Sequence, residues 1–212
     1  RHDPADPTTL SNDHVRVVFE DDELRLWVGT ADGLNLLDAD TGSVDRYQHD
    51  ASDPQSLNDS YINSMFQDRS GLLWVGTRSA GVSKWNPRSW PLGQYSQPWL
   101  SGTDVTSFAG GGDNELWIGT LGGGLAKLDE GSNAVERYLH RPDDPGSISD
   151  NDVMSLLSDR QGMLWIGTMS GGLNRLDPAS GEIRTYRHDE NNPDSLAADG
   201  VMVIHEDRMG QL

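Results

Sequence analysis

Four copies of Leu-Trp-(Val/Ile)-Gly-Thr recur along this chain, at residues 26–30, 73–77, 116–120 and 164–168. Their tryptophans, Trp27, Trp74, Trp117 and Trp165, stand 47, 43 and 48 residues apart. A near-constant period of this size means that one supersecondary unit is used again and again. The register inside the unit is tight. An apolar residue stands 12 positions before each Trp (Val15, Ile62, Val105, Val153), and a tyrosine closes each unit (Tyr47, Tyr95, Tyr138, Tyr186).

The last complete unit shows what the period folds into. Residues 153–157 and 164–168 read as strands joined by the turn Asp159-Arg160-Gln161-Gly162, where glycine supplies a left-handed position. Residues 173–177 and 183–186 read as two more strands, set off by Ser170-Gly171-Gly172 and Ala179-Ser180-Gly181. Short antiparallel strands at this period predict a β-propeller blade. No stretch carries sustained helical periodicity, so the expectation is an all-β chain. Long polar links such as residues 49–59 would carry the chain from the outer strand of one blade to the inner strand of the next. The expected blades span about residues 13–49, 60–97, 103–140 and 151–188, with a partial blade at 199–212. Arg1-His2-Asp3 matches the exit Arg187-His188-Asp189, and residues 201–212 read as a first strand and turn ending one residue before the next expected Trp. The chain is therefore expected to be a propeller fragment that continues on both sides, since exposed sheet edges are a hazard.

Composition narrows the partners. Thirty-four Asp and Glu against 16 Lys and Arg give a formal charge of −18, which argues against nucleic acid and against direct contact with an anionic membrane. Cysteine is absent, so disulfides, thiolate nucleophiles and Cys-zinc sites are excluded. No cofactor is expected.

The run from Ser147 to Asp177, and that from Ser56 to Trp85, share the pattern Ser-(Leu/Ile) … Asp-x-x-Gly-x-Leu-Trp-(Val/Ile)-Gly-Thr-x-x-(Gly/Ala)-Gly. This pattern resembles the two-component regulator propeller repeat. The third unit departs from it: residues 107–113 lack the Asp-x-x-Gly turn. The resemblance implies a seven-bladed propeller, often one of two in tandem, on the periplasmic side of a bacterial inner membrane. It also implies a following β-sandwich domain, a membrane helix, and a histidine kinase or diguanylate cyclase output. The segment itself would be a non-catalytic sensor for an extracellular small molecule or glycan, in a receptor that can act as a homodimer.

The repeated tryptophans are expected to pack between blades, because function rarely needs one residue in every blade. The glycine after each is expected to allow a close approach of its neighbour. His49, His140 and His188 each follow the closing Tyr by two residues, a loop position with no metal-ligand spacing. His205 stands where other units have Phe19, Phe66 and Leu157, which suggests a buried histidine. Asp-rich links such as residues 143–145 lack the alternation of a calcium loop and read as turns.

The residues just before each first strand, with the adjacent turns, should share one polar face: Asn12, Asp13, His14, Asp59, Ser60, Tyr61, Thr103, Asp104, Asn151, Asp152 and Asp199, joined by Asp32, Arg78, Leu121 and Met169. The candidate ligand contacts are Asp13, His14, Asp59, Tyr61, Arg78, Asp104, Asp152 and Met169; the competing reading is that Asn and Asp here only cap turns. Trp90 and Trp99, in a proline-rich segment with Trp85, form a second candidate patch that either meets a ligand or fills a local gap. No catalytic set and no metal site is apparent. Two other functions stay open: a soluble protein-interaction platform, and a propeller lyase or hydrolase, which would need converging acid–base groups.

Overall fold

The computed structural model describes residues 1–86, 93–95, 98–100 and 103–212, with the side chains of residues 93, 94 and 98 excepted. Among these residues there is no α-helix, only a 3-10 turn at Pro98–Leu100. Four antiparallel four-stranded sheets follow one another along the chain. The first holds β1 (Val15–Glu20), β2 (Leu26–Thr30), β3 (Gly33–Leu37) and β4 (Val44–Tyr47). The second holds β5 (Ile62–Gln67), β6 (Leu73–Thr77), β7 (Val82–Trp85) and β8 (Gly93–Tyr95). The third holds β9 (Val105–Gly110), β10 (Glu115–Thr120), β11 (Gly124–Asp129) and β12 (Ala134–Tyr138). The fourth holds β13 (Val153–Ser158), β14 (Leu164–Thr168), β15 (Leu173–Leu176) and β16 (Ile183–Tyr186). Strand order within each sheet equals chain order, the meander of a propeller blade.

The chain divides into two compact units, Arg1–Val105 and Thr106–Leu212. Each has its own apolar core, and the two cores are built from the same register positions. In the first unit Trp27, Leu34, Leu57, Ile62, Leu73, Val75 and Trp85 pack together. In the second, Trp117, Leu125, Ile148, Val153, Leu164, Ile166 and Leu176 do so. The repeat Trp of one sheet is thus covered by the link and the first three strands of the sheet that follows it in the same unit. Trp27 meets Trp85 edge-on at 4.7 Å and Tyr47 at 6.0 Å.

Glycine after the Trp-(Val/Ile) pair is what lets these sheets approach. A Cβ on Gly29 would lie 2.7 Å from Ile62 Cγ2, and one on Gly119 would lie 2.7 Å from Val153 Cγ1. The following threonine is fully buried, and its hydroxyl donates to the carbonyl that closes the turn between second and third strands. Thr30 bonds Gly33, Thr77 bonds Gly81, Thr120 bonds Gly124 and Thr168 bonds Gly172, at 2.8–3.0 Å.

The first hairpin turn carries a bond that the pattern alone did not reveal. The indole N–H of Trp27 donates to Asp21, that of Trp74 to Asp68 and that of Trp165 to Asp159, at 2.9, 2.7 and 2.8 Å. The other carboxylate oxygen gathers the turn's backbone N–H groups, those of Ser70 and Leu72 in the case of Asp68. Burial pushes the Asp68 carboxyl up, but bonds from Ser70, Trp74 and Leu72 outweigh it and hold the group below its ordinary value of 3.8.

Residues 201–206, expected as a first strand, form no ladder. Val201 N–H reaches the Thr168 carbonyl, and the turn at Asp207 closes as in the other sheets. Among the described residues no second strand pairs with it. For the same reason His205 is exposed rather than buried: no strand covers it.

Replacing Asp68 with Asn should destabilise the chain by about 2–3 kcal/mol, because buried donors lose a charged acceptor. Since the folded pKa lies below 3.8, this contribution is present at neutral pH and is lost as pH falls below that value. Urea unfolding across this range should show a shallower acid loss for Asp68→Asn than for the wild type; equal slopes would refute the assignment.

Candidate functional site

The links before each first strand are held by a repeated set of bonds. The histidine Nδ1 of His2, His49, His140 and His188 donates to the carbonyl eight residues on, that of Leu10, Leu57, Ile148 or Leu196, at 2.6–2.8 Å. The same histidine's backbone N–H donates to Asp13, Ser60, Asn151 or Asp199, eleven residues on. A histidine used this way closes a loop and has no need of a metal or a substrate. Among the described residues no group of three His, Cys, Asp or Glu is placed to hold a metal ion. The Asp-rich links behave as turns: Asp6, Asp53 and Asp144 each accept the N–H two residues on.

Three successive positions precede each first strand, and their roles differ. At the first, Asn12, Asp59 and Asp150 accept the N–H two residues on. Asp59 and Asp150 also take the N–H and hydroxyl of Ser79 and Ser170, fastening the adjacent turn. Sequence reasoning missed Asp150, although it occupies the same register position as Asp59. The second position is the acceptor of the loop-closing histidine N–H. Asp13 belongs here, and the bond from His2, helped by Arg1, holds its carboxyl below the ordinary value. The third position varies: His14, Tyr61, Asp104 and Asp152. Its carbonyl takes the N–H of the first turn residue, pairing His14 with Ala31, Tyr61 with Arg78 and Asp152 with Met169.

In the first unit these side chains converge on Tyr61. The guanidinium carbon of Arg78 lies 5.0 Å from the Tyr61 ring centre, and that of Arg16 lies 5.8 Å from it. Burial pushes the Asp104 carboxyl up; Arg78 pulls it down and Asp59 pushes it further up, with a net rise. His14 is exposed and its ring engages no described partner. In the second unit Asp152 accepts the Gly122 N–H at 2.7 Å, and Met169 is exposed. Arg16 was missed by sequence reasoning. The signal was available: it follows Val15 where the other units have Asn63, Thr106 and Met154.

Of the second candidate patch, Trp99 is partly buried in the 3-10 turn, and Trp90 lies outside the described residues. Trp85 is buried against Trp27 and Tyr47.

Residues 56–79 and 147–170 match the family described as two component regulator propeller. Those two stretches carry the two component regulator propeller repeat. Among solved structures the chain is similar to the extracellular domain assigned to a one component system of B. thetaiotaomicron, with TM-score 0.78 and 21% identity over 97% of this chain and 26% of that one. It is also similar to the extracellular domain assigned to a hybrid two component system of the same organism, with TM-score 0.75 and 21% identity over 99% of this chain and 33% of that one. A catalytically inactive virginiamycin B lyase from Staphylococcus aureus shares the fold at TM-score 0.62 and 16% identity, over 84% of this chain and 57% of that one. The chain spans a quarter to a third of the length of the two extracellular domains. No curated protein matches it. At these identities the structures establish the propeller fold, and the repeat family adds the kind of propeller.

If the histidines are loop staples, His140→Ala should cost about 1 kcal/mol, the worth of an ordinary hydrogen bond. Amide exchange should quicken in residues 141–150 and stay unchanged in β14. Stabilisation of the wild type by added zinc, lost in His140→Ala, would show that the histidine is a ligand instead.

Proposed function

We propose that this chain is the ligand-sensing propeller segment of a bacterial membrane signalling receptor, held on the periplasmic side of the inner membrane. The carrying observation is the repeat family together with the split, within each unit, between positions that bond backbone and positions that vary. The loop-closing histidine recurs as His2, His49, His140 and His188, and the turn-fastening Asp as Asp59 and Asp150. His14, Tyr61, Asp104 and Asp152, with Arg78 and Met169 on the neighbouring turns, vary. Positions released from the demands of the fold are where recognition of an extracellular small molecule or glycan can be written. Support comes also from the similarity to extracellular domains of signalling systems.

In this reading the segment is non-catalytic. The output, a histidine kinase or diguanylate cyclase, sits elsewhere in the parent chain, together with neighbouring propeller and β-sandwich domains. A ligand acts by binding one receptor state better than another, since only differential affinity shifts a conformational equilibrium. In a homodimeric receptor that shift changes how the two copies pack.

The test begins with the parent gene read through both ends of this segment. Further repeats, a membrane helix and an output module are expected; a propeller that closes with no membrane segment would leave a soluble interaction platform. With the parent receptor driving a reporter, Tyr61→Ala should weaken the response to its inducing extract by about tenfold, the scale of one lost aromatic contact in a binding site. An unchanged response in Tyr61→Ala and in Arg78→Ala would move the ligand away from this face.

A further inference from the structure

Acidic residues outnumber basic ones 34 to 16 in this chain, and its cations are mostly spoken for. Arg25 pairs with Asp21, Lys127 with Glu115 and Glu136, Arg141 with Asp144, and Arg160 with Glu206. Arg46 is bound to the carbonyls of Asp6, Thr9 and Leu10. Arg16 and Arg78 differ. Both are exposed, and among the described residues neither makes an ion pair or donates a side-chain hydrogen bond; what they share is the ring of Tyr61. They come from different sheets of the first unit, Arg16 from β1 and Arg78 from the turn after β6.

Asp59 and Asp104, on the links beside Tyr61 and Arg78, form no ion pair with Arg78. Asp59 is engaged by Ser79 and by the Tyr61 N–H. Asp104 feels the charge of Arg78 without forming an ion pair with it, and it accepts no hydrogen bond among the described residues. Two like charges are thus held beside one aromatic ring, whose face attracts each of them while leaving the guanidinium N–H groups unsatisfied. An incoming anion satisfies those donors. A planar carboxylate suits a guanidinium fork better than a spherical ion does.

We propose that Arg16, Tyr61 and Arg78 form a receptor site for a hydroxylated carboxylate, whose anionic end is taken by the two guanidiniums while a neighbouring hydroxyl donates to Asp104. This rests on the reading of the face as a ligand-sensing surface and adds to it the charge of the ligand. The chain's overall negative charge disfavours anions over most of its surface, which sharpens the contrast at these two cations.

The probes are D-glucuronate and its uncharged counterpart D-glucose, titrated into the 212-residue chain with the arginine Nε–Hε resonances observed by NMR. Arg16 and Arg78 should shift and saturate with glucuronate and stay in place with glucose. Arg184, which is exposed on β16, serves as the control and should not move. Arg78→Gln should weaken glucuronate binding by about tenfold, as loss of one charge-assisted contact requires. Arg78→Lys should recover only part of it, because the charge returns without the fork. Equal shifts with glucose and glucuronate, or shifts at Arg16 and Arg78 no larger than at Arg184, would overturn the proposal. Glucose binding that is lost in Tyr61→Ala would sink the anion selectivity and leave the sensing face standing. Silence of this face to both probes, joined to a receptor response that ignores Tyr61→Ala, would sink both.

Discussion

A carboxylate that takes an indole N–H on one oxygen and a turn's backbone N–H groups on the other holds three of the four sheets together. Asp68 does this for Trp74 and the residues 68–72 turn, and Asp21 and Asp159 do it for Trp27 and Trp165. The bond sets the rotamer of the largest core side chain and the geometry of the first hairpin at once. With the ring fixed, the apolar link residue and the next sheet's strands have a defined surface to cover, which is why the two cores use the same register positions. The remaining indole face takes a cation from the third strand. Lys84, Lys127 and Arg175 stand opposite Trp74, Trp117 and Trp165 in the ladders, with the cation 4.2–5.9 Å from the ring. The chain's two lysines are both spent in this way.

Where one repeat departs from the pattern, a second departure answers it. The third sheet has Gly111 in place of the turn Asp. A Cβ there would lie 2.7 Å from the Cβ of Glu115 and 3.1 Å from Trp117 Nε1, so the glutamate fills the space that the aspartate side chain takes elsewhere. Glu115 also accepts the Gly112 N–H and pairs with Lys127. A similar exchange joins link and third strand. Ser11 pairs with Asn35 in the first sheet and Ser149 with Asn174 in the fourth, while in the second sheet the two types trade places as Asn58 and Ser83. Either order satisfies the buried polar groups, which is the condition such groups must meet.

The fold was legible because its cause is periodic. One Trp, one Gly and one turn per unit suffice to point to four four-stranded sheets, though the first strand expected at residues 201–206 forms no ladder. The partners of those residues were less legible. The Asp that binds the indole reads in sequence as an ordinary turn residue, since Asp at a hairpin needs no further reason to be there. The Asn–Ser exchange is invisible until the link and the third strand are seen to touch. The candidate face was legible as a set of positions and not as a set of roles. Asp13 and Asp59 were grouped with Tyr61 by their place in the chain. Only hydrogen bonds separate those that serve the backbone from those that do not. Arg16 escaped because it lies inside a strand rather than before one.

That separation explains how one scaffold can present different chemistry without losing stability. Where the two positions bond backbone they carry short oxygen-bearing side chains: Asn or Asp at the first, and Asp, Ser or Asn at the second. The third offers only its own carbonyl to the turn, a bond that any residue can make. Except at Asp152, whose carboxylate takes the Gly122 N–H, no described hydrogen bond ties its side chain to the fold. Tyr61 and Arg78 are such a pair, tied back to back through their main chains while their side chains meet on the outside. A substitution there alters what the face can recognise and leaves the sheet beneath it unchanged, whereas a substitution at Asp59 would loosen the turn itself.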